Sequence, residues 1–204
     1  MKTLSFLMAA AVLALFAVSF TTNDMLEIGE KAPMAETKMK DISGKAYSLS
    51  DLATENGLLV IFSCNTCPFV LGWEDQYPEL GKLTKKNNIG MVLVNSNEAK
   101  RGDEDSMEEM KKHYKGADYN TPYVIDENHK LADAMGAKTT PHVYLFNSDM
   151  ELVYRGAIND KYENKEKKAT KFYLKDAMAQ LVKGEEIDNP VTTERGCSIK
   201  RVKS

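Results

Sequence analysis

Two of the three cysteines in this 204-residue chain lie close together, in the stretch from Phe62 to Val70 that reads FSCNTCPFV. Cys64 and Cys67 form a C-x-x-C pair directly after the apolar run GLLVI. Thiols at this spacing can close and open a disulfide, hold a metal ion as thiolates, or form a permanent cross-link. The residues around the pair indicate which of these three kinds of chemistry applies.

The placement of the pair favours redox chemistry. The apolar run before it predicts a buried strand, and apolar residues at three- and four-residue steps after it predict a helix. A cysteine at a helix N-terminus faces unpaired backbone N–H groups, which stabilise its thiolate and lower its pKa. We therefore expect Cys64 to be exposed at the tip of this junction, as the attacking thiolate. Cys67 is expected one turn further in and more buried, as the thiol that resolves the mixed disulfide.

Other kinds of cysteine site fit the sequence less well. A zinc site needs four ligands, whereas the chain has one pair and three scattered histidines, so no metal site is predicted. Covalent haem needs a histidine at the position of Pro68. Copper(I) remains an alternative, because soft thiolates suit it and His142 could supply a third ligand. A permanent disulfide also remains open, although its loop would be too short to constrain much of the unfolded chain.

The pattern of apolar residues predicts an α/β domain around the pair. Buried strands are expected at Gly57–Phe62 and Ile89–Asn97, and a short strand at PYVIDE. The alternating segments HVYLFNSD and MELVYRGAI predict a β-hairpin, and a terminal amphipathic helix is expected to stop at Gly184. The order β-α-β-α-β-α-β-β-α indicates parallel strands that lead into an antiparallel hairpin, and hence a central mixed sheet flanked by helices.

Two interruptions of this order are expected. Pro78 should kink or divide the helix that follows the cysteines, because proline cannot donate a backbone hydrogen bond. A charged helical insertion is predicted at about residues 96–120, where Ser106 and Glu109 have the spacing of a capping box. The favoured interpretation of the insertion is a solvated helix packed on the domain edge, and a docking surface for a partner is the alternative.

The N-terminal segment has the pattern of a secretory signal peptide. Lys2 precedes an uncharged apolar run, and the small residues Ala17 and Ser19 suit a cut after Ser19. Residues 1–19 are therefore predicted to be removed on export to the periplasm or another extracytoplasmic space. A retained membrane anchor is the alternative, since the run approaches the ~20 residues that cross a bilayer. Disulfides persist outside the cytosol, which is consistent with a redox pair.

The composition excludes one class of partner. With 43% hydrophobic residues, 28% charged residues and a formal net charge of −3, the chain has the make-up of an ordinary globular protein. It shows no basic stripe interleaved with aromatic residues, so nucleic acid is not an expected partner.

A second motif lies far along the chain, where Thr140 and Pro141 open the first strand of the predicted hairpin. A strand, a C-x-x-C pair, a helix and a later Thr-Pro of this kind together resemble the thioredoxin fold. In that fold the proline is cis and packs beside the cysteines, and the residue before it offers backbone hydrogen bonds to the substrate chain. The resemblance implies that Pro141 is the cis-proline and that Thr140 contacts the substrate.

Further motifs narrow the resemblance to one branch of this superfamily. In chain order they are CNTCPF, VNSN, DSMEEM, TTPHVYLFN, LVYRGAIND and GCSIK, between about Gly44 and Lys200. Together they resemble an exported thioredoxin-like family related to the alkyl hydroperoxide reductase and thiol-specific antioxidant (AhpC/TSA) branch. The implied organisation has an irregular lead-in at 20–45, a thioredoxin-like domain at 46–184 and a C-terminal tail at 185–204.

Two positions depart from the thioredoxin pattern. Ser63 stands where tryptophan usually precedes the first cysteine. Leu58 stands where thioredoxins carry a buried aspartate, which accepts a proton from the resolving thiol. Another base would then be needed, and Glu74 or a water molecule is the candidate.

Two alternative activities of the fold are weaker. Peroxiredoxins place a threonine or serine three residues before the peroxidatic cysteine, whereas here Ile61 stands three before Cys64 and Cys64 three before Cys67. A thiol peroxidase would therefore lack the hydroxyl that orients peroxide. Exported copper chaperones of this fold space their two cysteines by three residues, and the present pair is spaced by two.

The third cysteine, Cys197, lies in the segment TERGCSIK beyond the last predicted helix. It is either an incidental free thiol or, if the tail folds back, an auxiliary or regulatory thiol near Cys64 and Cys67. The sequence as a whole predicts an exported thiol–disulfide oxidoreductase that uses no cofactor. Its expected partners are proteins with a disulfide or dithiol and a protein that recharges the pair, with a membrane only if the N-terminal segment is retained.

Overall fold

The computed structural model describes residues 25–163 and 168–202. The predicted signal peptide at 1–19 lies outside the described residues. Within the described ranges, no helix combines the length and the apolar character that crossing a membrane requires.

A mixed β-sheet forms the centre of the molecule. The strands in the described residues are β1 (Met39–Asp41), β2 (Ala46–Tyr47), β3 (Leu58–Phe62), β4 (Gly90–Asn95), β5 (Tyr123–Ile125), β6 (Thr139–Thr140), β7 (His142–Phe146), β8 (Leu152–Gly156) and β9 (Cys197–Ser198). Seven of these strands form one sheet in the order β2-β1-β5-β4-β3-β7-β8. β3, β4 and β5 are parallel, and β7 pairs antiparallel with β3 and with β8. The predicted mixed sheet and its hairpin are confirmed.

Helices cover both faces of this sheet. Those in the described residues are α1 (Leu49–Leu52), α2 (Pro68–Trp73), α3 (Tyr77–Lys86), α4 (Met107–Gly116), α5 (Lys130–Ala134) and α6 (Tyr173–Lys183). A 3₁₀ turn at Glu74–Gln76 separates α2 from α3. Pro78 lies in the first turn of α3, where its missing N–H costs no helical hydrogen bond. The expected division of this helix at Pro78 is therefore confirmed.

β3 lies in the middle of the core and leads directly to the cysteines. All five of its residues are fully buried. Leu59 and Ile61 pack with Trp73 on one face of the sheet, whereas Val60 and Phe62 belong to the cluster on the opposite face. Burial on both faces accounts for the continuous apolar run, because neither face of the strand meets water. The residues after β3 are consequently held at a fixed place at the end of the sheet.

Two segments are more ordered than the sequence suggests. The lead-in at 20–45 was expected to be irregular, but it contains β1, which pairs with β5 in the main sheet. Likewise β9 lies in the tail at 185–204 and pairs with β6. Both strands are too short to show a two-residue alternation, so pattern reasoning cannot detect them.

The insertion at 96–120 contains one α-helix, α4, as expected, and a short 3₁₀ helix at Glu98–Lys100. Ser106 caps it by accepting a hydrogen bond from the backbone N–H of Glu109 at 3.3 Å. In a capping box the Glu109 carboxylate would accept a second hydrogen bond, from the backbone N–H of Ser106. Here it accepts a bond from the Lys112 side chain instead, at 2.7 Å. Met110 is buried in the core, so α4 is amphipathic and packs on the domain edge.

Removing the cap should destabilise the protein modestly. We expect Ser106→Ala to lower the free energy of unfolding by about 1 kcal/mol, because one N–H of the first turn loses its acceptor. Urea unfolding monitored by circular dichroism measures the change. Lys111→Ala, on the exposed side of the same helix, is the control and should shift the value by less than about 0.5 kcal/mol. Equal effects of the two substitutions would contradict the capping role.

Candidate active site

The two cysteines of the C-x-x-C pair lie between the end of β3 and the start of α2, beside the junction of β6 and β7. Cys64 Sγ is 3.2 Å from the hydroxyl oxygen of Thr140. The Cys67 thiol donates a hydrogen bond to the carbonyl oxygen of Thr140, at 3.1 Å. The Thr140–Pro141 peptide bond is cis. The four residues that the sequence assigns to the site thus lie together.

Both thiols of the pair are buried. Cys64 is 2% exposed and Cys67 is 4% exposed, so the expectation of an exposed Cys64 is wrong. Two segments distant in sequence cover the pair: the loop before α4 bonds to Asn65, and the C-terminal tail places Cys197 against the cysteines. In the described part of the chain all three cysteines are free thiols. For the cysteines to react with a second protein, either the loop before α4 or the C-terminal tail therefore has to move.

The helix after the pair begins later than the C-x-x-C spacing suggests. Cys67 is the N-cap residue of α2, and Pro68 occupies the first turn. Cys64 lies three positions before that cap. The N–H groups at the start of the helix therefore lie nearer to Cys67 than to Cys64, and the backbone N–H of Val70 helps to lower the pKa of Cys67. The physical argument that favoured a thiolate at Cys64 applies instead to Cys67.

Hydrogen bonds lower the pKa of Cys67. The largest contribution is the bond donated by the Cys64 thiol. The thiol and the backbone N–H of Cys197 and the backbone N–H of Val70 add to it, whereas burial opposes it. The carbonyl of Thr140 accepts a bond from Cys67 only when that thiol is protonated, so it also opposes the thiolate. The contributions that lower the pKa of Cys67 together outweigh those that raise it.

The pKa of Cys64 moves in the opposite direction. The largest contribution comes from the hydrogen bond to Cys67. This bond raises the pKa of Cys64, because the proton that Cys64 donates must stay on its own sulfur. Burial and the negative charge of Asp105 raise it further, and the hydroxyl of Thr140 partly offsets them. In the reduced site a negative charge is therefore more favourable on Cys67 than on Cys64.

A buried carboxylate, that of Asp105, holds the loop between the two cysteines. Asp105 is fully buried and accepts a hydrogen bond from the backbone N–H of Asn65 at 2.9 Å. The side-chain amides of Asn95 and Asn97 each donate to it at 2.8 Å. The hydroxyl of Tyr123 donates to the Asn65 side chain at 3.1 Å. This network fixes the backbone at Asn65 and hence the relative positions of the two thiols.

Sequence reasoning missed the role of Asp105. The residue lies in the insertion at 96–120, for which a solvated helix was the favoured interpretation. That interpretation fits α4 but not the loop before it, which packs on the cysteine motif. The only available signal was the polar segment VNSN, which supplies Asn95 and Asn97 directly after an apolar strand. The run DEDSMEE hides which of its acidic residues is buried.

The C-terminal tail brings Cys197 to the pair. β9 runs antiparallel to β6, with Cys197 opposite Thr140 and Ser198 opposite Thr139. Cys197 packs against the cluster that contains Cys64 and Cys67. The backbone of Thr140, to which the resemblance assigned the substrate chain, is thus paired with the protein's own tail.

Residues 28–155 match the AhpC/TSA family. The chain belongs to this family. The match begins near the start of the described residues and ends within β8, so it contains the cysteine pair, Asp105 and the Thr140–Pro141 peptide. It does not reach the tail that carries Cys197.

Solved structures give this AhpC/TSA protein a thioredoxin-like fold. An uncharacterized conserved protein from Geobacillus kaustophilus is 30% identical with a TM-score of 0.81, and the match covers 90% of this chain and 96% of that one. A hypothetical protein from Sinorhizobium meliloti is 26% identical with a TM-score of 0.81, with 90% and 99% covered. A thioredoxin-like protein in its oxidized form is 19% identical with a TM-score of 0.59, with 76% and 98% covered. Curated proteins give no match.

Glu74, the sequence-based candidate for a base, has other partners in this AhpC/TSA protein. Its carboxylate lies 2.6 Å from the Nε2 of His113 and accepts a hydrogen bond from the hydroxyl of Tyr119 at 2.8 Å. The side chain of Glu74 is mostly buried, so it is not a charge on the surface of the helix. Among the described residues, neither cysteine is a hydrogen-bond partner of Glu74, so this geometry gives it no direct path to a thiol.

The copper alternative requires a third ligand beside the thiols. His142 is fully buried, and its ring packs at a tilt against the ring of Tyr144, with a centroid distance of 4.6 Å. Burial lowers the pKa of His142 to about 3. Across residues 25–163 and 168–202, no group of three or more metal-ligating side chains is close enough to hold an ion. His142 therefore does not join the cysteines in a ligand set.

A surface groove lies against the tail at the outer side of the site. Its volume is about 530 Å³, and its lining includes Pro68 and Phe69 of α2, Thr139 of β6, and Arg195 and Gly196 of the tail. Polar and apolar groups both line it, as the backbone and side chains of a bound peptide would require. The AhpC/TSA protein thus has an open groove at the edge of the covered thiols.

Proposed function

We propose that this AhpC/TSA protein is a thiol–disulfide oxidoreductase in which Cys64 and Cys67 are the redox pair. The observation that carries the proposal is the placement of two free thiols, Cys64 and Cys67, against Thr140 and its cis peptide bond to Pro141. A thiolate is the nucleophile in disulfide exchange, and its thiol neighbour supplies the second sulfur of a closed disulfide. Membership of the AhpC/TSA family supports thiol redox chemistry in general.

The roles that we propose for the two cysteines are the reverse of those expected from the sequence. The Cys67 thiolate attacks a substrate disulfide, forms a mixed disulfide and releases one substrate thiolate. Cys64 then loses its proton and attacks the Cys67 sulfur, which closes the Cys64–Cys67 disulfide and releases the second substrate thiolate. Two electrons pass from the pair to the substrate, and the reverse sequence oxidises a dithiol. The lowered pKa of Cys67 and the N-cap position of that residue support this order.

The partners follow from this chemistry. We propose that the substrates are proteins with a disulfide or a dithiol, and that a separate redox protein restores the pair after each cycle. The signal-like segment at 1–19 supports export, where a protein disulfide survives long enough to be a substrate. The backbone of Thr140 and the groove beside the tail are the proposed contacts for the substrate chain.

A trapping experiment tests both the function and the roles. The variants Cys64→Ser and Cys67→Ser are each made in a Cys197→Ser background, so that the tail thiol cannot release the trapped species. Incubated with a disulfide-containing protein such as insulin, Cys64→Ser should accumulate a mixed disulfide through Cys67. Cys67→Ser should accumulate at least about 10-fold less, because a pKa difference of one unit changes the thiolate fraction about 10-fold. Non-reducing electrophoresis and peptide mapping detect the linkage.

Each alternative result has a distinct meaning. A trapped species through Cys64 in the Cys67→Ser variant would reverse the proposed roles but keep the function. No trapped species in either variant would contradict the oxidoreductase assignment. Consumption of hydrogen peroxide by the same variants, without disulfide exchange, would assign the peroxidase alternative.

The reduction potential of the pair provides an independent prediction. Equilibration of the Cys197→Ser protein in glutathione and dithiothreitol buffers should give a reversible two-electron couple between about −120 and −270 mV, the span of catalytic dithiols. We expect this because the thiolate at Cys67 stabilises the reduced form. A potential below about −300 mV would instead indicate a structural disulfide and would contradict the proposal.

A further inference from the structure

The edge strand beside the cysteines is already occupied. β6 consists of Thr139 and Thr140, and its backbone pairs with Cys197 and Ser198 of the tail. An extended peptide binds a protein most simply by adding a strand to such an edge, where main-chain hydrogen bonds provide the affinity. The tail is therefore bound in the way that a substrate peptide would bind, with Cys197 directly opposite Thr140.

The tail is held on both sides of Cys197. Before it, the Thr192 hydroxyl lies 2.7 Å from the hydroxyl of Tyr154 and accepts from the backbone N–H of Ala157 at 3.0 Å. After it, Arg201 donates to the Asp133 carboxylate at 2.7 Å and to a backbone carbonyl at 2.6 Å. Anchors at both ends keep the residues between them on β6.

The residue before Cys197 has to be glycine for this contact. A Cβ atom added at Gly196 would lie 2.3 Å from the carbonyl oxygen of Thr140. The two nearest atoms belong to the backbone of Thr140, so no side-chain rotation relieves the clash. The close approach of Gly196 to Thr140 depends on the absence of a side chain at Gly196. It brings the backbone of Cys197 close to the thiols.

Cys197 faces Cys67 specifically. Cys197 packs against the cluster of Cys64, Cys67 and Val70, and its thiol and backbone N–H both help to lower the pKa of Cys67. Burial, together with the contact with Cys67, raises the pKa of Cys197 to about 11. Cys197 remains partly exposed, whereas Cys64 and Cys67 are buried. In the reduced protein Cys197 is thus a protonated thiol beside Cys67. It lies where the thiol of a substrate would lie just after its disulfide with Cys67 had been broken.

We propose that Cys197 is a built-in substrate cysteine that exchanges disulfides with the redox pair. This inference rests on the proposed function, since it assigns an internal substrate to the same site. In the oxidised protein Cys197 loses its proton to solvent and attacks the Cys67 sulfur. The Cys67–Cys197 bond forms, the Cys64–Cys67 bond breaks, and Cys64 leaves as a thiolate that takes up a proton. The number of disulfides is unchanged, so the step needs no oxidant or reductant.

This exchange closes the groove covalently. With Cys197 bonded to Cys67, the tail cannot leave β6, and an external chain cannot reach the backbone of Thr140. Only reduction of the Cys67–Cys197 bond, or the return attack by Cys64, restores the open pair. The tail therefore competes with external substrates at the high effective concentration of a tethered ligand.

The test uses a variant in which the internal bond has to form by itself. The Cys64→Ser protein is treated with oxidised glutathione, a small disulfide that Cys67 can attack. The first product is a glutathione adduct at Cys67, and Cys197 should then displace glutathione to give the Cys67–Cys197 disulfide. Intact-mass measurements over time and peptide mapping follow both species. We expect the adduct to disappear and the internal disulfide to replace it.

Three matched variants complete the experiment. Cys64→Ser/Cys197→Ser lacks the attacking thiol and should keep its glutathione adduct. Cys64→Ser/Gly196→Ala keeps the thiol but displaces the strand, so its adduct should persist at least about 10-fold longer, because the tail loses its effective concentration. Cys67→Ser should give no internal disulfide, because Cys197 is aimed at Cys67 and not at Cys64.

The outcomes separate this inference from the proposed function. If the adduct forms on Cys67 and has the same lifetime with and without Cys197, the built-in substrate is excluded and the redox pair stands. If no variant forms an adduct at Cys67 or at Cys64, the proposed function fails and the inference fails with it. An adduct only at Cys64, in the Cys67→Ser protein, would overturn the inference and keep the function. An internal disulfide in the Cys67→Ser protein would also overturn the inference, since it would show a mobile tail thiol without a preferred partner.

Discussion

Replacing Asp105 with asparagine is expected to lower the free energy of unfolding by about 2–4 kcal/mol. The carboxylate is fully buried and accepts three hydrogen bonds, from the backbone of Asn65 and from the side chains of Asn95 and Asn97. An amide has the same shape but turns one acceptor into a donor, which would then face another donor. Urea unfolding of the reduced protein measures the loss.

The same substitution should alter the redox pair. The pKa of Cys64 is raised by its bond to Cys67, by burial and by the charge of Asp105. Removing that charge makes negative sulfur in the site less unfavourable, which stabilises the reduced form relative to the neutral disulfide. The reduction potential should therefore become less negative, by about 20 mV for each ~1 kcal/mol of stabilisation. Equilibration in glutathione buffers measures this shift separately from stability.

Asp103→Asn is the matched control for both measurements. Asp103 lies in the same loop as Asp105 but is exposed. Its replacement removes the same charge from the chain. We expect a change below about 0.5 kcal/mol in unfolding and no measurable shift of the potential. If the two substitutions gave the same shift of potential, the effect of Asp105 would be one of net charge and not of its position beside the thiols.

The central part of the fold could be predicted from the sequence because its signals are local. β3 and β4 appear as continuous apolar runs, since each is buried on both faces, and the hairpin of β7 and β8 appears as alternation. Pro78 marks the division of the helix after the cysteines. Each of these features depends on the residues of one element and its immediate neighbours, so periodicity and turn chemistry are sufficient.

The chemistry of the cysteine pair could not be predicted in the same way. Asn65 and Asp105 are forty positions apart in the chain, and only the folded loop brings them within hydrogen-bond distance. The burial of Cys64 and Cys67 depends on that loop and on the tail, and the pKa order depends on where α2 begins. The motif alone placed the helix start at the first cysteine, whereas Pro68 places it at the second.

The tail shows the same limit. Cys197 was recognised as a possible auxiliary thiol, but nothing in GCSIK identifies the strand with which it pairs. Pairing with β6 depends on main-chain groups, which every residue carries, and on the missing side chain of Gly196. Sequence patterns report side chains, so a contact made by backbone atoms leaves little trace in them.

Replacing Cys64 with alanine is expected to raise the pKa of Cys67 by several units. The bond from the Cys64 thiol is the largest cause of the lowered pKa of Cys67, and alanine cannot donate. Without that donor, burial acts more strongly, and the pKa should move to or above the ~8.5 of a free thiol. The pKa of Cys67 should rise and not fall, because a hydrogen-bond donor stabilises the thiolate. Removing the Cys64 donor therefore favours the protonated thiol.

Serine at the same position is the matched control, because its hydroxyl still donates a hydrogen bond. We expect the pKa of Cys67 in Cys64→Ser to lie between those of the Cys64→Ala protein and the parent, all in a Cys197→Ser background. The pH dependence of alkylation by iodoacetamide, with Cys67 identified by peptide mapping, measures each value. In the parent, Cys67 should react in the acid range, whereas in Cys64→Ala the reaction should begin only near or above neutral pH.

The result decides which residue controls the nucleophile. If Cys64→Ala and Cys64→Ser raise the pKa equally, the loss of the sulfur and not of the donor is responsible, and the proposed hydrogen bond is excluded. If neither substitution changes it, the backbone N–H groups of Val70 and Cys197 stabilise the thiolate on their own. The ordering of alanine above serine above the parent is the one that a thiol-to-thiolate hydrogen bond requires, because each step restores more of the donor that holds the negative charge on Cys67.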